Sequence, residues 1–306
     1  MQNKAPRNKT LNLTEQEQTS LVKKAVHLTD KAKLSNVKDK IIWQDMFKAV
    51  DLLPDKCVDL MVVDPPYNMT KNFGNSSFKM MSGDQYAKWL DSWLKKIPRI
   101  LKDDASVYIC TDWKSSISVP FVAGEYFVLQ NRISWEREKG RGASKNWKNC
   151  LEDIWFFTKS KNYKFNIDAV KILRPVLAPY KDGKGKPKDW FEAEQQKMRL
   201  TCPSNIWTDI SVPFWSMAEN TPHPTQKPEK LIAILILASS DEGDVVFDPF
   251  LGSGTTAVVA KKLKRHFIGI EKEKEYVAYA IKRLDMADKD KEIQGLKDGI
   301  FYHRNM

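Results

Sequence analysis

Residues 58–67 read VDLMVVDPPY. The apolar run over residues 58–63 has the length and composition of a buried strand. Because two consecutive prolines cannot donate to a sheet ladder, this strand must end at Asp64. The pattern therefore predicts a carboxylate at the C-terminal edge of a strand, which is where open α/β sheets bind their ligands.

The turn that follows this strand suits one chemical task. The Asp64 side chain and the Pro65 carbonyl can both accept hydrogen bonds from a flat amino group, while Tyr67 stacks on the ring that bears the group. A strand that only ends in a proline-rich turn has the same four residues. The function therefore depends on what else the chain brings to this edge.

Strand and helix patterns alternate along most of the chain. Strand patterns occur at residues 41–45, 58–63, 106–110, 126–135, 154–157, 245–248 and 266–271, and helical patterns at 84–101, 231–238, 255–263 and 274–285. This alternation predicts an α/β fold with a mostly parallel sheet and helices on both faces. Prolines and a basic loop interrupt the pattern at residues 170–215, which we interpret as a small inserted region. The polar loop 68–82 is a candidate lid, and the chain beyond residue 286 is expected to be peripheral.

The charge of the chain favours a polyanionic partner. The net charge is +11 over 306 residues, and residues 136–200 hold 16 Lys and Arg against 9 Asp and Glu. An excess of this kind is typical of nucleic-acid binding.

No apolar run reaches the ~20 residues of a membrane span, and the start lacks a signal-peptide core, so a cytoplasmic protein without membrane contact is expected. The four cysteines form no CxxC pair, and no metal site or disulfide framework is expected.

A second motif lies near the C-terminus. Residues 245–256 read VVFDPFLGSGTT, a strand, a tight glycine turn and the start of a helix. Glu271 ends the next strand, 19 positions after Gly252. Glycines permit a close approach of backbone to a ligand, and an acid at this position can accept ribose hydroxyls. The pattern lacks the third glycine of a dinucleotide motif and the spacing of a P-loop, so it indicates a nucleoside ligand.

Three motifs together resemble the S-adenosylmethionine-dependent DNA amino-methyltransferases, which methylate adenine N6 or cytosine N4. They are DPPY at residues 64–67, HPTQKP at 223–228 and DPFLGSGT at 248–255. The resemblance spans residues 41–285, and the order of the motifs is that of the group called beta. It implies a Rossmann-like, seven-stranded, mostly parallel sheet with one reversed strand, in which the strands ending at Asp64 and Asp248 lie side by side.

The resemblance also implies a division of the chain into five segments. These are a basic N-terminal arm (1–40), a catalytic half of the methyltransferase domain (41–169), a target-recognition region (170–215, with its basic surface from about 136), a cofactor-binding half (216–285) and a C-terminal tail (286–306).

Site residues carry over from the family onto the matching positions. The amine-binding residues would be Asp64, Pro65, Pro66 and Tyr67. The pocket for the cofactor, S-adenosylmethionine, would comprise Asp45, Asp64, Thr225, Gln226, Lys227, Asp248, Phe250, Gly252, Ser253, Gly254, Thr255 and Glu271. Among these, Glu271 would hold the ribose, and residues 225–227 would close the pocket near the cofactor's carboxylate. For His223, packing or capping is favoured over chemistry.

The implied reaction is direct methyl transfer to adenine N6 in double-stranded DNA after base flipping. Asp as the first residue of the DPPY motif favours adenine, with cytosine N4 as the alternative. Phosphate contacts are expected from Arg137, Lys139, Arg141, Lys145 and Lys148. Trp135 and Trp147 are expected in the core rather than as wedges in DNA. Dimerisation and a companion restriction endonuclease stay open.

Other functions fit the sequence less well. An RNA or protein methyltransferase could share a related tetrapeptide, but the motif order and the basic insert disfavour it. A nucleic-acid-binding protein with an inactive cofactor fold is disfavoured by the intact Asp64, Gly252, Gly254 and Glu271. A small-molecule dehydrogenase has a different glycine spacing.

Overall fold

The computed structural model describes residues 7–74, 76–137, 144–176, 179–193 and 196–302. Within these ranges the α-helices are α1 (Glu15–Leu21), α2 (Leu34–Val37), α3 (Met46–Leu52), α4 (Gly83–Leu94), α5 (Val119–Gly124), α6 (Glu229–Ser239), α7 (Thr255–Lys262) and α8 (Lys274–Ala287). The side chains of Thr14 and Glu17 form a capping box at the start of α1.

The strands in the same ranges are β1 (Lys40–Trp43), β2 (Val58–Val63), β3 (Lys71–Phe73), β4 (Ser76–Phe78), β5 (Leu101–Asp112), β6 (Val128–Glu136), β7 (Leu151–Thr158), β8 (Ile172–Pro175), β9 (Phe191–Ala193), β10 (Gln196–Thr201), β11 (Ile206–Trp207), β12 (Val245–Asp248), β13 (His266–Glu271), β14 (Leu296–Lys297) and β15 (Ile300–Tyr302).

The central sheet has the strand order β1-β13-β12-β2-β5-β7-β6-β11. Every neighbouring pair is parallel except the two pairs that β7 makes with β5 and β6. The predicted α/β fold with a large, mostly parallel sheet is therefore confirmed. The sequence predicts seven strands, whereas the described residues contribute eight, because the two-residue strand β11 adds to the edge at β6.

The two Asp-Pro strands lie side by side in this sheet. Strand β12 pairs directly with β2, with Val246 opposite Leu60 and Phe247 opposite Met61. Parallel strands end at the same edge, so the turns after Asp64 and Asp248 open onto one cleft. The adjacency expected for these strands is confirmed.

Strand β2 is buried on both faces because helices cover both sides of the sheet. Alternate side chains of a strand point to opposite faces. Leu60 and Val62 pack with α6 and α7 in one apolar cluster, while Met61 and Val63 pack with α4 in the other. The strand is thereby fixed in position, and so is the carboxylate at its end.

A second sheet has the order β14-β15-β8-β10-β9. Three of its strands come from residues 170–215, and two come from residues 296–302. The expectation of a peripheral C-terminal segment is wrong for these residues, because Phe301 is fully buried and pairs with Ile172. The division into five segments stays a prediction.

The candidate lid 68–82 contains the hairpin β3–β4. Lys71 of this hairpin donates to the Pro224 carbonyl at 3.4 Å, so the hairpin lies against the chain that carries the HPTQKP motif. Among the described helices, none combines the length and the apolar character that a membrane span requires.

Candidate active site

One cleft opens between the turn after β2 and the turn after β12. Of the catalytic and cofactor residues that the sequence predicts, those lining this cleft are Asp45, Asp64, Pro65, Pro66, Tyr67, Thr225, Gln226, Lys227, Asp248, Phe250, Gly252, Ser253, Thr255 and Glu271. Gly254 lies beside the cleft, at the start of α7. The tertiary structure therefore brings together segments that are more than 200 positions apart in sequence.

Asp64 is the centre of a buried polar cluster. The Tyr67 hydroxyl donates to Asp64 Oδ1 at 2.7 Å, and the Lys227 ammonium donates to Asp64 Oδ2 at 2.6 Å. Lys227 also donates to the Tyr67 hydroxyl at 3.0 Å. A residue of α4 also anchors the turn after Asp64, because the Tyr86 hydroxyl donates to the Pro66 carbonyl at 3.0 Å.

Glu152 on β7 belongs to the same cluster, although the sequence did not indicate it. Its Oε2 lies 3.3 Å from Lys227 Nζ and 3.1 Å from the Tyr67 hydroxyl oxygen. Its Oε1 lies 2.5 Å from Arg137 Nη1. The only available signal was a carboxylate at the start of an apolar strand pattern, which is too common to single out one residue.

Burial and charge act in opposite directions on this cluster. Burial raises the pKa of Asp64, and the Lys227 ammonium opposes that rise. Burial also raises the pKa of Glu152, but Lys227 and Arg137 outweigh it and hold that pKa below its usual value. For Lys227, burial lowers the pKa, and the two carboxylates more than offset this, so the net shift is upward. With an ammonium 2.6 Å away, we assign Asp64 as ionised at neutral pH.

The Tyr67 hydroxyl forms its hydrogen bonds within the cluster. It has a single proton, and the shorter of its two carboxylate contacts is the one to Asp64. Its side chain is buried.

The second turn is held by its own carboxylate. Asp248 Oδ1 accepts from the Phe250 amide at 3.0 Å, and Oδ2 accepts from the Thr256 hydroxyl at 2.6 Å. Burial raises the pKa of Asp248 to about 7. Asp248 therefore shapes the loop, and it does so through neighbours close in sequence.

Two glycines in this turn adopt left-handed backbone conformations. Gly252 has φ +55° and Gly254 has φ +88°. A Cβ on Gly254 would lie 2.6 Å from the Cβ of Ala280 on α8, so this glycine permits close packing of the two helices rather than facing the cleft.

Glu271 lies at the end of β13 with its carboxylate already oriented. Oε2 accepts from the Gly252 amide at 2.8 Å, and Oε1 accepts from the Glu273 amide at 2.8 Å. Burial raises the pKa of Glu271 to about 7. An ionised carboxylate has about four acceptor positions, so this group can accept ligand hydroxyls in addition to these amides.

The HPTQKP segment forms one wall of the cleft. The His223 ring packs edge-on against Tyr276, with ring centroids 4.4 Å apart, and its Nδ1 accepts from the Thr225 amide at 3.3 Å. Burial lowers the pKa of His223 to about 3, so the ring is neutral. These contacts agree with the packing role favoured for His223, which stays a prediction.

The other predicted pocket residues have local structural contacts. Gln226 Oε1 accepts from the Thr221 hydroxyl at 2.6 Å, and Nε2 donates to the Glu219 carbonyl at 2.6 Å, which fixes the loop. Asp45 caps α3 by accepting from the Phe47 amide at 2.8 Å. Their roles toward the cofactor stay predictions.

Arg283 supports the glycine turn from α8 and was not predicted. This buried guanidinium donates to the Ser253 carbonyl at 3.0 Å and to the Thr255 hydroxyl at 2.9 Å. It also pairs with Glu229 at 2.9 Å. In sequence it is one basic residue in a helix of mixed charge, so no pattern distinguished it.

The predicted DNA contacts occupy different environments. Lys145 and Lys148 are exposed, whereas Arg137 is half-buried against Glu152. Lys139 and Arg141 lie outside the described residues. Trp135 is buried as expected, but the same expectation is wrong for Trp147, which is 93% exposed. Its neighbours in sequence are polar, so nothing there forms a core around it.

Cys110 is the cysteine in the cleft wall. Burial raises the pKa of its thiol well above the usual range, so the thiol is neutral and a poor nucleophile. Within the described ranges, no group of three or more His, Cys, Asp or Glu side chains could hold a metal ion.

Comparison with known proteins agrees with this geometry. A family model described as DNA methylase, for N6 and N4 methyltransferases, matches residues 58–282. The type II methyltransferase M.HpaI of Haemophilus parainfluenzae is 34% identical over 255 residues, which cover 80% of this chain and 74% of that protein.

Two further similarities extend the comparison. The DNA adenine methyltransferase YhdJ of Escherichia coli K12 is 34% identical over 262 residues, 83% of this chain and 85% of that protein. The solved structure of an M1.HpyAVI–SAM complex has a TM-score of 0.54 and 25% identity, and the match covers 80% of this chain and 98% of that one. The chain therefore belongs to the S-adenosylmethionine-dependent DNA amino-methyltransferases, the family that acts on adenine N6 and cytosine N4.

Proposed function

We propose that this enzyme transfers a methyl group from S-adenosylmethionine to the N6 amine of adenine at a specific site in double-stranded DNA. The observation that carries the proposal is the adjacency of β2 and β12, which opens the Asp64 turn and the Gly252 turn onto one cleft. An amine acceptor and a nucleoside-binding loop in one cleft suit transfer between two bound molecules.

The residues of the cleft fit the cofactor. The Glu271 carboxylate, fixed by two backbone amides, suits a pair of ribose hydroxyls. Phe250 and Tyr276 supply apolar and aromatic surface in the same cleft. S-adenosylmethionine, when bound, supplies an electrophilic methyl group on a sulfonium centre.

Asp64 makes the target amine a better nucleophile. The lone pair of an exocyclic amine is delocalised into the base, and hydrogen bonds from the amine to Asp64 and to the Pro65 carbonyl favour a pyramidal nitrogen. In the transfer, the N–C bond forms as the S–C bond breaks, and the nitrogen gains the positive charge that sulfur loses. The Asp64 carboxylate stabilises that charge until the nitrogen loses one of its protons to solvent.

The target base must leave the duplex to reach Asp64, because its amine is paired and stacked there. Tyr67 would stack on the flipped ring. Lys145 and Lys148 are exposed and suit contact with phosphates. The exposed ring of Trp147, which lies between them in sequence, suits stacking on an unpaired base. Arg137 is oriented toward Glu152 and is the least suited of the predicted phosphate contacts that the structure describes.

Adenine is the proposed base because the motif begins with Asp and because the relative YhdJ is named an adenine methyltransferase. The two amines are chemically alike, and the family model covers both. Cytosine N4 is therefore the alternative that the experiment must separate.

The test is to incubate the purified enzyme with S-adenosylmethionine and unmethylated genomic DNA and then to sequence the product by a method that distinguishes the modified bases. N6-methyladenine in a single sequence motif is the expected result. N4-methylcytosine would support the proposed mechanism and contradict the choice of adenine as the target base. Unmodified DNA, from protein that binds the cofactor in calorimetry, would overturn DNA as the substrate.

A further inference from the structure

Lys227 forms a hydrogen bond with an oxygen of Asp64 that the target amine needs as an acceptor in the proposed reaction. Its ammonium donates to Asp64 Oδ2 at 2.6 Å, at a depth where its side chain is 7% exposed. If Asp64 stabilises positive charge on the target amine, an ammonium ion at this distance opposes the reaction, because charges interact more strongly at low effective dielectric. The cleft therefore needs a compensating negative charge.

Glu152 supplies a second carboxylate at the right place. It reaches Lys227 from β7, on the side opposite the glycine turn, and its Oε2 is 3.3 Å from Nζ. The formal charges of Asp64, Glu152 and the buried Lys227 sum to one negative charge, and Arg137, on the other oxygen of Glu152, balances that charge from a side chain that is 43% exposed and therefore more screened by water. Without Glu152 the charges of Asp64 and Lys227 would sum to zero.

Stability alone is a weak reason for a carboxylate at this depth. Glu152 is 4% exposed, and removing a carboxylate from water costs several kcal/mol unless its partners compensate. Arg137, which is half-exposed, and the buried Lys227 are the cationic partners that compensate this cost. The buried contacts, to Lys227 and to the Tyr67 hydroxyl, point into the reaction site.

We propose that Glu152 is a positioning residue that neutralises Lys227 and so leaves the negative charge of Asp64 available to the target amine. It also offers Lys227 an alternative partner when the amine takes Asp64 Oδ2. This inference rests on the role proposed for Asp64.

The first test is Glu152→Gln, which keeps the size and an acceptor oxygen but removes the charge. The single-turnover rate of methyl transfer at saturating cofactor and DNA should fall roughly 10- to 100-fold, while both dissociation constants stay within about threefold of wild type. Glu152→Asp retains the charge and should recover part of the rate. Glu242→Gln, at an exposed ion pair with Lys264, is the matched control and should keep the wild-type rate.

The second test removes Lys227. In the Glu152→Gln background, Lys227→Met should raise the rate by about tenfold, because the uncompensated cation is gone. A purely structural role for Glu152 predicts that the double variant is no faster than the single one. In the Lys227→Met background, removing the Glu152 charge should change the rate by less than about threefold, and this comparison holds even where Glu152→Gln alone does not fold.

The outcomes separate this inference from the proposed role of Asp64. An active Asp64→Asn variant would overturn both. An inactive Asp64→Asn variant together with a Glu152→Gln variant at the wild-type rate would overturn the role of Glu152 alone. A loss of cofactor or DNA affinity as large as the loss of rate would also overturn it.

Discussion

The two Asp-Pro turns of the cleft end neighbouring strands, but their carboxylates are used in opposite ways. Asp248 is bonded to Phe250 and Thr256, which lie two and eight positions away. Asp64 is bonded to Tyr67 and, across 163 positions, to Lys227. Bonds between close neighbours fix a loop, whereas bonds to side chains from other elements leave a carboxylate that can exchange partners with a substrate.

The largest expected effect comes from removing the charge of Asp64. Asp64→Asn should lower the single-turnover rate roughly a thousandfold or more, because the charge acts on the amine in the transition state. Cofactor and DNA affinities, measured by calorimetry and by fluorescence anisotropy, should change little. A variant that retains more than about a tenth of the wild-type rate would contradict the assignment of Asp64.

The glycine turn after Asp248 should be sensitive to packing rather than to charge. Gly254→Ala places a Cβ 2.6 Å from Ala280 in a left-handed conformation, so we expect a loss of unfolding free energy of about 2–4 kcal/mol. The matched control is Gly243→Ala, which has φ +87° and open space around the new atom, and which should lose only about 1–2 kcal/mol. Urea denaturation gives both values, and equal losses would show that packing against α8 is unimportant.

The smallest effect on catalysis is expected for Asp248→Asn. Asn can accept from the Phe250 amide and donate to the Thr256 hydroxyl, so the rate at saturating cofactor should stay within about threefold of wild type. A loss as large as that of Asp64→Asn would remove the distinction between the two turns.

The same variant should change the pH dependence of stability. Because the folded pKa of Asp248, about 7, lies above its ordinary value of 3.8, the folded state binds more protons between those values. The stabilising contribution of this group is complete below about pH 4 and is lost as the pH rises through 7. Asp248→Asn should therefore gain stability relative to wild type between pH 5 and pH 8, on the order of 1–3 kcal/mol in denaturation midpoints converted to free energy.

Local patterns in the sequence predicted the elements that build the cleft. The strands Val245–Asp248 and His266–Glu271 have the predicted bounds. These features depend on periodicity and on the conformational limits of proline and glycine, which act over a few residues. The burial of Phe301 and the exposure of Trp147 depend on distant packing and were predicted wrongly.

The residues of the site also divide into those that local patterns predicted and those that they did not. Asp64, Gly252 and Glu271 were predicted because each ends or follows a strand in a motif. Glu152 and Arg283 were missed because their roles arise from partners far away in the chain.

The sequence by itself determined the α/β fold, the two carboxylate-ended strands and the family, because proline, glycine and apolar periodicity constrain the backbone locally. Only the tertiary structure decided which charges meet. Lys227, Glu152 and Asp64 come from three separate segments, and the energy of a buried charge depends on its neighbours in space rather than in sequence.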